Sequence, residues 1–164
     1  MKRIIAWVLS ILCCFALVIG FNSCQQEAKE SGDVFYMEYK GTKIELGAKA
    51  DSIISALGEA KSVKELGDCG GLGAQVKYTY SDIELYTLKS ADGETVDGIS
   101  FTSDLVSTSK GIFIGDSSDK VTEAYGQPTE QSDSSMIYTE GNMSLKFKLD
   151  GGVVSAVDYL RSTK

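Results

Sequence analysis

The side chains able to do chemistry are unevenly supplied in this chain. None of its 164 residues is a histidine, which removes Ser-His-Asp and Cys-His nucleophiles, histidine general bases and histidine-containing zinc sites. Cysteine and carboxylate chemistry remain. Cys13 and Cys14 lie inside an apolar run, Cys24 follows it after Asn22 and Ser23, and Cys69 stands alone among Gly67, Gly70, Gly71 and Gly73. Neighbouring Asp68 opposes a thiolate at Cys69 and no histidine activates it, so burial at the base of the loop is expected rather than nucleophilic catalysis. Glycines at this density let a backbone approach a phosphate. A phosphate loop runs into a helix N-terminus, however, and this one runs into the strand pattern Gln75 to Tyr80. The expectation is a surface loop with tight turns, and Cys69, Gly70 and Gly71 are its candidate functional residues, a lid if the protein senses a small ligand.

The carboxylates are Asp82, Glu84, Asp92, Glu94 and Asp97, an acidic cluster around two turns, and Asp116 with Asp119 further on. A hydrolase needs two carboxylates converging in a cleft, whereas solvated turn residues account for the first group. Asp116 and Ser117 are placed to cap a helix, and no calcium-loop spacing surrounds Asp116 and Asp119. No metal site or cofactor is expected. Tyr78 and Tyr80 share one face of a strand. Core packing is the default for such a pair; on a wet face they are candidate partner contacts.

These residues sit in a chain that is 43% hydrophobic and 24% charged, with a net charge of −7. That composition is globular, and the acidic balance disfavours nucleic acid as a partner. Residues 1–23 have the order of an export signal: Lys2 and Arg3, an uncharged apolar run from Ile4 to Phe21, then Asn22 and Ser23 before Cys24. The run also reaches the length of a bilayer span, so an uncleaved anchor is an alternative, as is ordinary signal cleavage. Residues 24–33, ending in Gln-Gln-Glu-Ala-Lys-Glu-Ser-Gly-Asp, cannot bury surface to offset their conformational entropy and read as a flexible linker.

From Val34 the chain repeats. Ile44 with Ile112, Leu46 with Ile114, Gly47 with Gly115, Asp51 with Asp119, Ile53 with Val121, Ala56 with Ala124 and Gly58 with Gly126 are all 68 residues apart. Beyond Gly58 the spacing falls to 58, pairing Tyr80 with Tyr138 and Asp92-Gly93 with Asp150-Gly151, so the first copy carries ten extra residues within 59–74. Repeat 1 is assigned to 34–101 and repeat 2 to 102–164. In the first, Ala50, Ile53, Ile54 and Leu57 share a helical face that Gly58 ends; in the second, Val121, Ala124 and Tyr125 do so before Gly126 and Pro128. Alternation predicts strands at Gln75 to Tyr80, Ile83 to Leu88, Thr95 to Phe101, Met143 to Leu149 and Val153 to Leu160, with a hairpin about Lys40-Gly41 upstream. The fold class is therefore α+β: two tandem repeats, each a short helix and an antiparallel meander, with one face of the sheet wet.

Two resemblances follow from these residues. Ser23-Cys24 after the apolar run resembles a bacterial lipoprotein signal, although Phe21 and Asn22 depart from its aliphatic and small residues. It implies cleavage before a lipidated Cys24 and an extracytoplasmic, membrane-tethered domain. The order of hydrophobic pair, Gly, capped short helix, Gly and three-stranded meander resembles the repeat of the β-lactamase-inhibitor-protein fold and of the small lipoprotein of outer-membrane barrel assembly. Cys69 to Gly126, with Tyr78-Thr79-Tyr80 and Lys110-Gly111-Ile112-Phe113-Ile114-Gly115, also resembles uncharacterised Gram-positive lipoproteins. Those folds bind proteins, so the resemblance implies a non-enzymatic binding module with a protein or envelope partner. A carboxylate hydrolase and a small-ligand sensor are the alternatives. The shared positions are glycines, caps and core residues, which fixes expectations of fold more than of activity.

Overall fold

The computed structural model describes residues 35–68, 71 and 73–162. Strands β1 (Tyr36–Tyr39) and β2 (Thr42–Glu45) form a two-stranded hairpin. Its turn places both Lys40 (φ 51°) and Gly41 (φ 74°) in the left-handed region, the backbone twist that a two-residue hairpin turn requires. Helix α1 (Ala50–Leu57) buries Ala50, Ile53 and Leu57 and packs Ile54 against the same core. Helix α2 (Ser118–Tyr125) buries Val121 and packs Ala124 and Tyr125. Both faces are those expected from the periodicity, and Gly58 and Gly126 end the helices with nearly the same backbone angles (φ 76°, ψ −160° and φ 79°, ψ −157°).

Each helix is followed by four strands rather than three. The first set is β3 (Ser62–Asp68), β4 (Ala74–Thr79), β5 (Ile83–Ser90) and β6 (Gly93–Phe101); the second is β7 (Glu130–Ser132), β8 (Ser135–Glu140), β9 (Met143–Asp150) and β10 (Val153–Arg161). They form one antiparallel sheet of eight strands in the order β3-β4-β5-β6-β10-β9-β8-β7. The meanders thus meet at their last strands and run outward in opposite directions. Three strands have no counterpart in the sequence reading: β8, and the two edges, for every residue of β3 and β7 is exposed. A strand that buries neither face shows no alternation, and the charges and Gly67 in β3 suit an edge that resists further pairing. The extra residues of the first copy lengthen this outer hairpin, seven residues in β3 against three in β7.

The repeat is most faithful where helix meets sheet. Gly47 N–H donates to Val96 O and Gly115 N–H to Val154 O, both at 2.8 Å. Val96 N–H returns to Ala48 O (2.9 Å) and Val154 N–H to Asp116 O (2.8 Å). Immediately beyond, the ladder skips one residue in each copy, at Asp97 between Tyr86/Gly98 and Thr87/Val96, and at Ser155 between Val154 and Ala156. These β-bulges add twist and turn a side chain outward. In the central registers Tyr78, Leu85, Ile99, Tyr159, Leu145 and Tyr138 stand side by side on one face. That face joins Met37, Tyr39, Ile44 and the helix residues in a single hydrophobic core. Tyr125, Tyr138 and Phe147 form an aromatic group beneath α2, with ring centroids 5.3 to 6.0 Å apart.

Candidate functional site

Since the helices, the β1–β2 hairpin and the core all lie against one face, the opposite face of the eight-stranded sheet is the one the described residues leave uncovered. Its side chains follow from the register: Thr79, Glu84, Ser100, Asp158, Lys146 and Ile137 form one row, flanked by Lys77, Tyr86 and Leu160. The row is polar at the centre and is wired across strands. Lys77 Nζ donates to Glu84 Oε1 and the Tyr86 hydroxyl to Glu84 Oε2, each at 2.7 Å. Ser100 Oγ donates to Asp158 Oδ1 at 2.7 Å, and Lys148 Nζ lies 3.1 Å from Asp158 Oδ2. Gln75 Nε2 donates to Asp97 Oδ2 at 3.2 Å. The hydrogen bonds from Lys77 and Tyr86 hold the Glu84 carboxyl below its usual range, while burial and Glu84 push the Tyr86 phenol up to about 12.

A depression of about 330 Å³ opens on this face where the two meanders meet. Asp97 and Gly98 of the β6 bulge, Tyr86, and Asp158, Leu160 and Arg161 of β10 surround it. Sequence reading could not find it. Asp158 and Arg161 lie some sixty residues from Asp97, and only the pairing of β6 with β10 brings them together.

The candidates from the sequence are distributed differently. Tyr78 and Tyr80 are on the covered face, so they do not form the wet aromatic patch. Tyr80 is 3% exposed, in edge contact with Tyr39 (centroids 6.3 Å apart). Tyr78 is half-buried and donates to Glu94 Oε1 at 3.0 Å. The tyrosine on the open face is Tyr86. Among the acidic cluster, Asp82 accepts from Tyr39 and Glu94 from Tyr78 and Thr87, both toward the core, whereas Glu84 and Asp97 face outward. The cluster therefore does not converge as a unit. Asp116 accepts from Phe113 N–H (2.8 Å) and Lys120 Nζ (2.9 Å), contacts that hold its carboxyl below the usual range. The cap itself is Ser117, which accepts from Lys120 N–H at 3.3 Å.

Cys24, Cys69 and Gly70 lie outside the described residues. Gly71 and Gly73 each donate their N–H to Asp68 Oδ1, at 3.0 and 3.3 Å. These donors are thus occupied by the chain's own carboxylate rather than presented to an anion. Gly73 answers a packing need, because a Cβ there would sit 2.0 Å from Lys89 O. Among the described residues no three His, Cys, Asp or Glu side chains gather as a metal site, and no helix is long and apolar enough to cross a membrane.

No protein-family model matches this chain, and neither a curated protein nor a solved structure is similar to it.

Proposed function

We propose that this protein is an exported lipoprotein, tethered through Cys24, whose open sheet face binds a protein or envelope partner without catalysing a reaction. The observation that carries the reading is the face itself: an uncovered, ordered, polar surface across the meeting line of two meanders, backed by a continuous core. Hydrogen bonds between neighbouring strands hold these side chains in place before any partner arrives, so less ordering entropy is lost on association. Lys2, Arg3, the apolar run and Ser23 before Cys24 support the tether, and two acyl chains suffice for stable anchoring.

The test has two parts. Cys24→Ala should abolish lipid labelling and detergent partitioning of the cleaved protein; an intact N-terminus without lipid on the wild type overturns the tether. Cross-linked recovery of envelope proteins by the tagged chain should fall when Lys77 and Lys146 are both changed to Gln, with the fold retained by circular dichroism and cooperative unfolding. Equal recovery overturns the assignment of the face.

One observation favours a second reading. Asp97, Asp158 and Ser100 share the central depression, the combination a carboxylate hydrolase requires. Both oxygens of Asp158 are already engaged and the depression is open to water, which suits recognition better than catalysis. Turnover of ester, peptide or glycoside substrates that is lost in Asp158→Asn with the fold intact would establish this alternative.

A further inference from the structure

The three carboxylates around the meeting line differ in what neutralises them. Glu84 is bonded by Lys77 and Tyr86, and Asp158 by Lys148 and Ser100, so each has a cation and all four oxygens are satisfied. Among the described residues Asp97 has only the neutral amide of Gln75, on Oδ2, and its Oδ1 is enclosed with no hydrogen-bond partner among them. The side chain as a whole is half-buried, so one oxygen is shielded while the group still borders the depression. Arg161 is the converse case, since its guanidinium meets Thr95 Oγ1 at 3.5 Å and is in none of the ion pairs among the described residues. These two opposite charges, neither in an ion pair among the described residues, line the same depression. They are nevertheless not paired with each other, for Gln75 holds one and Thr95 the other.

The surroundings suit a small ligand placed between them. Asp97 is the extra residue of the β6 bulge, turned outward beside a glycine whose missing side chain leaves the floor open. A Cβ at Gly98 would stand 3.1 Å from Tyr159 O and 3.7 Å from Tyr86 Cβ. Tyr86 and Leu160 supply an apolar wall, and about 330 Å³ is the lower end of the range for small-molecule sites, roughly 300–1,000 Å³.

We infer that this depression binds a small zwitterion of the α-amino-acid class, its ammonium on Asp97 and its carboxylate on the Arg161 guanidinium. Arginine offers a planar fork suited to a carboxylate. The site goes beyond the partner-binding reading and does not depend on it, since a free amino acid is titrated with no partner present.

The experiment is calorimetric titration of the full detergent-solubilised chain with L-alanine, L-alaninamide (cation only) and N-acetyl-L-alanine (anion only). L-alanine should bind saturably and at least tenfold tighter than either analogue. Asp97→Asn should lower its affinity at least tenfold without changing the weak binding of N-acetyl-L-alanine, and Arg161→Gln should do the reverse with L-alaninamide. Arg161→Lys, which keeps the charge, should retain part of the affinity and serves if the glutamine variant does not fold. Equal affinities for the three probes, or indifference of L-alanine to Asp97→Asn, overturns the inference. So does a shift of the Arg161 Nε resonance in ligand-free Asp97→Asn, which would mean that the two residues already neutralise each other.

Discussion

The two faces of the eight-stranded sheet obey different rules. On the covered face, Ile83, Leu85, Val96, Ile99, Leu145, Phe147, Val157 and Tyr159 are wholly withdrawn from solvent, and shape decides which residue fits. On the open face the same strands carry Lys77, Glu84, Tyr86, Ser100, Asp158 and Lys146, and hydrogen bonds from strand to strand do the positioning. One face holds the fold together. The other is kept in order by that fold and by its own cross-strand hydrogen bonds.

The comparison is broken most easily from the covered side. Phe147→Ala removes the ring that meets both Tyr125 and Tyr138 and should destabilise the domain by about 3–5 kcal/mol, read by denaturant unfolding. A smaller contrast lies between equivalent tyrosines of the two repeats. Tyr138 donates to Gly126 O at 3.0 Å, so Tyr138→Phe should cost about 0.5–1.5 kcal/mol. The Tyr80 hydroxyl is buried without a partner among the described residues, so Tyr80→Phe should be neutral or stabilising in the same assay. Equal losses would mean that Tyr80 has a bonding partner in solution.

The open face is probed more gently by pH. Tyr86 has its phenol raised to about 12 against 10 for an unperturbed tyrosine. Its protonated form is favoured by the fold, so its contribution is whole below pH 10 and is lost as pH rises toward 12. Tyr78, on the covered face and also raised to about 12, adds to the same loss. Tyr86→Phe should reduce the alkaline fall in melting temperature without abolishing it. At the acid end Glu84 is lowered, so its contribution is present above the unfolded carboxylate range and disappears as pH falls through the folded value. The smallest effect is expected for Lys77→Ala, at most about 1 kcal/mol, because the Lys77–Glu84 pair is partly solvated and screened.

How far the sequence disclosed this arrangement depends on burial. Alternation from Met143 to Leu149 located β9, and Ala50, Ile53, Ile54 and Leu57 located α1, because residues that pack must recur with the period of their element. The edge strands β3 and β7 pack against nothing and left no such trace. Tyr78 lies on β4 as expected and Tyr80 just beyond its end, but alternation alone does not say which face is wet. The helix cap at Ser117 was local and legible. The central depression was not, since Asp97 reaches Asp158 and Arg161 only through the β6–β10 junction.

The most direct test of the open face as the proposed recognition surface is site-specific photo-cross-linking in cells that produce the full chain. A photoreactive amino acid replaces Leu160 on that face, 44% exposed beside the depression, or Phe113 on the helix side, 37% exposed against Lys120 of α2. A discrete protein adduct from position 160, absent from position 113 and lost when Lys77 and Lys146 are changed to Gln, is the predicted result. Adducts from position 113 with none from position 160 would contradict the account and move the binding surface to the helices.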